Sequence, residues 1–212
     1  MTVADTSIDP KILKYAKKEF LKHGFQKTQL KDICRQAGVT TGALYKRYKG
    51  KEDLFCALVQ PAIQDIELIA QAKEGCDPST FSDEELLLAW GMNDRTSFSK
   101  SLQGWFDFLY ARKEEFTLLL TCAEGTCYQN FISTWVDRMT DSTYLYLEEI
   151  KRRKISTRNI DEDELRVLMT CFWSSIYKPF LLHFNQKQLQ LHCQIVCDMF
   201  DWGMILGIHL PE

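Results

Sequence analysis

The chain has 212 residues, of which 45% are hydrophobic and 26% charged, and its formal net charge is −3. This composition is typical of a globular protein and excludes an intrinsically disordered one. Ten Gly and five Pro are few for this length, which disfavours an all-β fold with many turns. The first residues lack the apolar core of a signal peptide, and the longest uncharged run, 125–136, is too short and too polar to span a bilayer. We therefore expect a cytoplasmic protein without a membrane span.

The charge is divided unevenly along the chain. Residues 1–60 carry a net charge of +6, and residues 61–212 carry −9. A basic segment joined to a larger acidic one indicates two units with different partners. The sequence therefore predicts one domain over 8–60 and a second over 61–212.

The first 50 residues predict three helices. Ile12 and Phe20 belong to an apolar row that repeats every four residues, and Gly24 follows as a helix stop. Thr28 is placed to cap a second helix, and a third, short helix begins after Thr40. The apolar faces of the second and third helices are Leu30, Ile33, Cys34 and Ala37, then Leu44 and Tyr48.

A fourth helix is predicted from about Lys51 to about Glu74, and Pro61 within it is expected to bend it. Further helices are predicted near 83–91, 97–112, 114–121, 125–153, 162–184 and 188–207. Ser82 with Glu85 matches a capping box, and Asp161 with Glu164 its acidic variant. Because strand alternation of any length is absent, the sequence predicts an all-α chain of about ten helices.

The second and third predicted helices, at about 29–48, flank a tight turn at Gly38. This arrangement is typical of a helix-turn-helix, whose second helix enters the DNA major groove. No acidic residue occurs from Ile33 to Lys51, whereas five cations do: Arg35, Lys46, Arg47, Lys49 and Lys51. Small residues at the start of the third helix would allow close approach to base edges. A solvated charged face is the alternative interpretation, but the turn, the spacing and the missing acids together favour DNA binding.

The stretch ICRQAGVTTGALYKRYKGKEDLF, residues 33–55, resembles the amino-terminal signature of the tetracycline-repressor (TetR) family of bacterial transcription regulators. The resemblance covers about residues 10–60. It implies an Ω-shaped homodimer with one DNA-binding head per subunit and a larger helical domain for ligand binding and dimerisation. The DNA contacts carried over by position are Thr28, Thr40, Thr41, Gly42, Ala43, Tyr45, Lys46 and Lys51. Ala43 stands where several members have a polar side chain, and Tyr48 where many have Phe.

Aromatic residues spread over several predicted helices of the larger domain are candidates to line a pocket for an apolar or aromatic ligand. Filling an ordinary helical core is the alternative for each of them. The candidates are Trp90, Trp105, Phe108, Tyr128, Phe131, Trp135, Phe172, Trp173 and Tyr177. The last two long helices are the expected dimer faces. Their candidate contacts are Leu165, Leu168, Phe172, Leu189, Ile195, Val196, Met199 and Trp202.

The sequence contains none of the motifs that favour an enzyme: no Gly-rich phosphate loop, nucleophile elbow or HExxH, and only four His. We expect no catalytic residues, no cofactor and no metal site. The expected partners are double-stranded DNA with a near-palindromic operator, a second copy of the chain and a small-molecule effector. Alternatives are control by a protein partner, control by thiol oxidation at Cys193 and Cys197 or Cys122 and Cys127, and activation instead of repression.

Overall fold

The computed structural model describes residues 8–90 and 95–208. Within these residues the chain forms eleven α-helices, and its β-structure is limited to an isolated bridge between Ser156 and Ile208. The helices are α1 Ile8–Lys27, α2 Leu30–Ala37, α3 Thr41–Tyr45, α4 Lys51–Glu74, α5 Asp83–Ala89, α6 Arg95–Ala111, α7 Lys113–Thr117, α8 Phe131–Arg152, α9 Glu162–Leu181, α10 Gln186–Met199 and α11 Trp202–Leu206. The predicted all-α class is confirmed. In the described part of the chain, no helix combines the length and apolarity needed to cross a membrane.

The chain divides into two compact units. The amino-terminal unit comprises the described residues up to 67 together with 112–132, and the second unit comprises 68–111 and the described residues from 133 onward. The sequence placed a domain boundary at 60/61, but α7 and the π-helical turn Leu118–Cys122 pack against α1. Lys17 on α1 contributes to this packing by pairing with Glu114 and Glu115 at 2.9 and 3.0 Å. Contacts so distant along the chain leave no trace in local charge or periodicity.

The amino-terminal unit is built around aromatic rings supplied by α1 and α4. Phe20, Phe25 and Phe55 meet with ring centroids 5.3–5.9 Å apart, and all three are buried. Gly24 leaves helical geometry, with φ 73° and ψ 167°, so the predicted helix stop is confirmed even though one further turn follows. Phe55 meets the other two rings edge to face, and such ring pairs add to the stabilisation from apolar burial.

Several helix ends in the second unit follow from local capping. Ser82 and Glu85 form the predicted capping box at α5, and Asp161 accepts a hydrogen bond from the backbone N–H of Glu164 at 2.8 Å. Asn185 and Gln188 form a further capping box at α10. Each cap satisfies backbone N–H groups that the first helical turn cannot pair internally.

Two predicted helices differ from the structure. The helix predicted from 125 begins only at Phe131, because Gly125 has φ 85° and the Thr126 hydroxyl donates to Ala123 O, which holds a turn there. The helix predicted over 188–207 is interrupted after α10, and Asp201 caps α11 by accepting from Met204 N at 2.9 Å. Sequence periodicity does not detect such breaks, since the apolar pattern continues across them.

The local surroundings require glycine at position 207. It has φ 61°, and a Cβ there would lie 2.5 Å from Thr157 Oγ1. Its absence of a side chain is therefore explained within the protomer.

Candidate nucleic-acid interface and aromatic cavity

The turn between α2 and α3 has the geometry that the sequence predicts. Gly38 adopts the left-handed conformation, with φ 67° and ψ 32°. Val39 N–H donates to Cys34 O at 3.0 Å, which closes the turn on the end of α2. A residue with a side chain would be strained in this conformation, so glycine fixes the direction in which α3 leaves the turn.

The short helix α3 is held by its apolar side and presents its amino end to the outside. The hydroxyl oxygen of Thr40 accepts from Ala43 N at 3.1 Å and so caps the helix. Leu44 is fully buried and anchors α3 to the unit. The exposed residues of this helix and its exit are Thr40, Thr41, Gly42, Tyr45 and Lys46, while Ala43 is half-buried. Five of the predicted DNA contacts therefore share one accessible surface.

Gly42 has no internal reason to be glycine. Its backbone is not in the left-handed region, and a Cβ there would meet only Thr40 Oγ1, at 3.9 Å. A glycine inside a helix costs about 0.5–1 kcal/mol relative to alanine. A missing side chain that the fold does not require indicates close approach by something outside the protein, as a helix in the major groove requires.

Thr28 does not have the role that the sequence predicts. It is buried, and its hydroxyl donates to the carbonyls of Gly24 and Glu19 at 2.7 and 3.2 Å. Gln29 is the residue at the cap position of α2, without a side-chain cap. The capping prediction for Thr28 is wrong. Its side chain fastens the end of α1 and is not available to phosphate.

Lys51 is also committed mainly to the fold. Its ammonium group donates to Gln26 O and Thr28 O, each at 3.1 Å, and lies 4.5 Å from the centroid of the Phe25 ring. An ammonium group has three donors, so one remains for an outside acceptor. The structure therefore places Lys51 as a clamp between α4 and the α1–α2 connection.

Two of the five cations near the turn are compensated by acids that lie outside residues 33–51. Arg35 pairs with Asp32 at 2.8 Å, and Arg47 pairs with Asp9 at 2.5 Å. Four exposed lysines carry further positive charge near the end of α1, the start of α2 and the end of α3. These are Lys27, Lys31, Lys46 and Lys49. The sequence interpretation missed Lys27 and Lys31 as phosphate-facing candidates, although their position next to Thr28 was a usable signal.

The second unit contains a cavity of about 390 Å³. Its walls come from α4, α5, α6, α8, α9 and α11, and its rim includes the exposed residues Leu88, Ala89 and Ser101. The remaining lining residues are Ile69, Lys73, Trp90, Phe98, Trp105, Met139, Thr143, Met169, Phe172, Trp173 and Trp202. This volume lies within the usual range for small-molecule sites, and the lining is mostly apolar and aromatic.

The predicted pocket residues separate into three groups. Four line the cavity: Trp90, Trp105, Phe172 and Trp173. Trp135 and Phe108 support them from behind, with Trp135 at 5.3 Å from Trp173 and Phe108 at 5.7 Å from Trp105 between ring centroids. The others lie away from the cavity lining: Tyr177, in the second unit, and Tyr128 and Phe131, which fall in the amino-terminal unit.

Lys73 is the one cation among the described residues of the cavity wall, and it was not predicted. Its ammonium donates to Thr143 Oγ1 at 2.6 Å and lies 5.9 Å from the centroid of the Tyr146 ring. Burial lowers the pKa of Lys73 to about 8. Its distance along the chain from the aromatic residues hid it from sequence analysis.

Burial separates the predicted dimer residues into two sets. Leu165, Leu189, Val196 and Trp202 belong to the core of the protomer, so they offer no surface to a partner. Leu168 and Phe172 are half-buried, whereas Ile195 and Met199 are exposed. Leu191, which was not predicted, is also exposed and lies one turn before Ile195 on α10.

The thiol pairs singled out from the sequence are largely shielded. Cys193, Cys197 and Cys122 are buried, and burial raises the pKa of the Cys193 thiol. The fold instead brings Cys56 and Cys127 together, with sulfur atoms 3.8 Å apart. Burial and then the neighbouring Cys127 raise the pKa of Cys56 to about 12, so this thiol stays protonated at neutral pH.

Among the described residues, no three His, Cys, Asp or Glu side chains are grouped as metal ligands.

Comparison with known proteins identifies the amino-terminal segment. Residues 12–58 match the family described as bacterial regulatory proteins, tetR family. The HTH-type transcriptional regulator AcrR of Shigella flexneri is 39% identical over 79 residues, which is 36% of this chain and 37% of AcrR. The HTH-type transcriptional regulator TtgR of Pseudomonas putida is 36% identical over 66 residues, 31% of each chain. The similarity thus spans about a third of the length of these curated relatives.

Solved structures extend the similarity to the fold of the whole chain. GusR of Salmonella enterica matches with a TM-score of 0.55 at 14% identity, over 97% of this chain and 98% of GusR. The TetR family transcriptional regulator PfmR of Thermus thermophilus matches with a TM-score of 0.56 at 15% identity, over 95% of this chain and 96% of PfmR. At these identities the likeness shows the fold alone. The matching proteins are regulators and not enzymes. The amino-terminal segment 12–58 thus matches the tetR family of bacterial regulatory proteins, and the chain as a whole shares the fold of these solved structures.

Proposed function

We propose that this chain is a sequence-specific DNA-binding transcriptional regulator, and in the simplest case a repressor. The observation that carries the proposal is the exposed amino end of α3, where Thr41, Gly42 and Tyr45 lie on one surface beyond a tight glycine turn. Hydroxyl groups can contact phosphates or base edges there, and Gly42 leaves room for a groove wall. The neighbouring lysines supply salt-sensitive affinity for phosphate.

The protein would act as a homodimer. Leu191, Ile195 and Met199 recur every four residues on α10, and all three are exposed, with 59%, 45% and 64% of their surface accessible. An exposed apolar stripe of this kind marks a protein contact surface. A second copy of the chain is the occupant that we propose, since two DNA-binding heads would then meet two half-sites of a near-palindromic operator.

A small ligand in the cavity of the second unit would control DNA binding. The cavity has a rim open to exposed residues, which favours a ligand over a protein partner as the effector. Residues Ile69 and Lys73 of α4 line it, and the same helix begins at Lys51 in the amino-terminal unit. A shift of α4 on ligand binding would change the spacing of the two heads. Whether the result is repression or activation depends on where the operator lies.

Pro61 lies within α4, and the helix is continuous through this position. Further along, after residue 67, the same helix passes into the second unit. We propose that α4 bends at Pro61 when ligand binds, because proline lacks the backbone N–H that would hold the helix there. Pro61→Ala should then alter ligand-triggered release from DNA while the amino-terminal unit stays folded by circular dichroism. Release that is unchanged in the variant would refute the hinge.

The proposed function is tested by selecting bound duplexes from a random library with the purified full-length chain. We expect a near-palindromic sequence whose half-sites are about one helical turn apart. A library that shows no enrichment after repeated rounds would contradict sequence-specific binding.

A further inference from the structure

Two residues that line the cavity of the second unit carry hydrogen-bond donors without acceptors. The indole Nε1 atoms of Trp90 and Trp173 are buried and have no hydrogen-bond partner among the described residues. Only 6% and 7% of the surface of these two residues is accessible. A buried donor left unpaired costs about 1–3 kcal/mol, so two of them on residues that line one cavity are unusual.

Lys73 adds a positive charge to the same wall. Its ammonium group contacts the hydroxyl of Thr143 and the ring of Tyr146, neither of which carries a negative charge at neutral pH. No Asp or Glu occurs among the described residues that line the cavity. With its lowered pKa of about 8, Lys73 is still mostly protonated at pH 7. A half-buried cation without a counter-charge among the lining residues is costly, and an anion entering the cavity would relieve that cost.

We propose that the cavity binds an organic acid with an apolar or aromatic body. The carboxylate accepts a charge-assisted hydrogen bond from Lys73, and the indole N–H groups of Trp90 and Trp173 are further donors for its acceptor atoms. The body packs against the rings and thioethers of the remaining lining, such as Trp105, Phe172 and Met139. This inference rests on the proposed control by a small ligand, and it names the class of that ligand.

Ligands of other charge fit the lining less well. A cationic ligand would add a second positive charge beside Lys73 and would find no carboxylate among the described lining residues. A neutral hydrocarbon would leave the lysine without a counter-charge and both indole donors unpaired. The oxygen atoms of an acid would accept hydrogen bonds from Lys73 and from both indole N–H groups. Because Lys73 belongs to α4, the carboxylate would also act directly on the helix that we propose to transmit the response.

The test measures binding of two acids and their uncharged amides to the full chain without DNA. The probes are 2-naphthoate with 2-naphthamide and decanoate with decanamide, followed by quenching of tryptophan fluorescence and by calorimetry. At least one acid should bind about tenfold or more tightly than its amide, as a charge-assisted hydrogen bond in a buried site implies. Lys73→Met should remove that preference and leave amide binding nearly unchanged, whereas Lys187→Met, at an exposed position of α10, should change neither.

Equal binding of each acid and its amide, a preference that survives in Lys73→Met, or no binding of any probe would overturn the proposal. Circular dichroism of each variant verifies that the fold is intact. DNA binding of the same preparations is measured separately by the library selection. A chain that selects an operator but shows no preference for acids refutes only the ligand class, and one that prefers acids but selects no operator refutes only the regulator function.

Discussion

At the scale of single residues, the features to which we assign function are those that the fold does not need. Gly38 and Gly207 have positive φ, so the backbone itself requires glycine. Gly42 has neither that conformation nor a crowded Cβ position. In the same way, the charge on Lys73 does nothing for packing in its aromatic surroundings. Such locally unfavourable choices are expected where a partner must fit.

Gly42→Ala separates stability from DNA binding. The added methyl group has room in the free protein and should leave stability unchanged or raise it by about 0.5 kcal/mol through helix propensity. On DNA the same methyl group would meet the groove wall, and we expect a roughly tenfold loss of affinity for the selected operator. Gly104→Ala on α6 is the matched control, because a Cβ there also meets open space. Full affinity in Gly42→Ala would show that α3 does not approach DNA in this way.

Lys73→Met should make the protein more stable in the absence of ligand. Removing a buried charge whose pKa is lowered from 10.5 to about 8 gains on the order of 1–3 kcal/mol, and losing the bond to Thr143 offsets about 1 kcal/mol. Thermal unfolding at pH 7 should therefore show a midpoint a few degrees higher.

The pH dependence of this gain has a definite direction. The unfolded chain binds the Lys73 proton more tightly than the folded chain, so the contribution of this group to stability rises between about pH 8 and pH 10.5. The advantage of Lys73→Met over the wild type should shrink in that window. A variant that is less stable than the wild type at pH 7 would contradict the buried, uncompensated charge.

At the scale of helices, the sequence predicted elements well wherever local chemistry decides them. The turn at Gly38, the start of α3 after Thr40 and the capping box at Ser82 depend on neighbours within a few residues, and all are present. The partners of Arg47 and Lys51 could not be predicted, because Asp9 and Gln26 are far away in sequence. The aromatic residues were recognised as a group, but only packing decides which rings line a cavity and which stand behind it.

The end of α8 depends on an ion-pair cluster that is sensitive to acid. Glu149 is buried and accepts from Arg152 at 2.6 and 2.7 Å and from Arg153 at 2.5 Å. The pKa of Glu149 is lowered to about 2. The hydrogen bond from Arg152 is the largest cause, and the hydrogen bond from Arg153 is a further one. Arg153 continues to Asp83 at the start of α5, at 2.8 Å. The cluster therefore ties α8 to α5.

Glu149→Gln should lower the thermal midpoint at pH 7. Since the folded pKa is depressed, the stability from Glu149 is complete above the unfolded pKa of about 4.3 and is lost as pH falls to about 2. The difference between wild type and variant should thus vanish across that window in a pH series of thermal melts. Glu148→Gln, at a more exposed position paired with Lys151, is the control and should have a smaller effect. A Glu149→Gln penalty that persists at pH 2 would point to packing instead of charge.

The stripe on α10 predicts the oligomeric state. Replacing Leu191 and Ile195 together by lysine places two charges in the proposed interface and should convert a dimer into a monomer in sedimentation velocity experiments. Leu145→Lys on α8, which is equally exposed, should leave the dimer intact. Dimers that persist in the double variant would exclude this stripe as the interface.

At the scale of the whole molecule, the charge division fits the regulator that we propose, with a basic amino-terminal segment and an acidic remainder. In the proposed function, the positive charge near α3 would attract phosphate, while the acidic remainder would keep other surfaces away from DNA. The sequence was sufficient for the fold class and for the glycine turn before α3, because both depend on local pattern, whereas the assignment of the α3 surface to DNA stays a prediction. It was insufficient for the division into units, since α7 and the turn after it join the amino-terminal unit only through long-range packing.

The most direct test of DNA binding is fluorescence anisotropy with the duplex immediately upstream of the protein's own gene and a random duplex, each at several salt concentrations. We predict tight binding to the upstream duplex that weakens steeply with salt and exceeds binding to the random duplex by about a hundredfold or more. Equal and weak binding to both duplexes at every salt concentration would contradict an operator at that position, and absence of binding to either would contradict the assignment of the α3 surface to DNA.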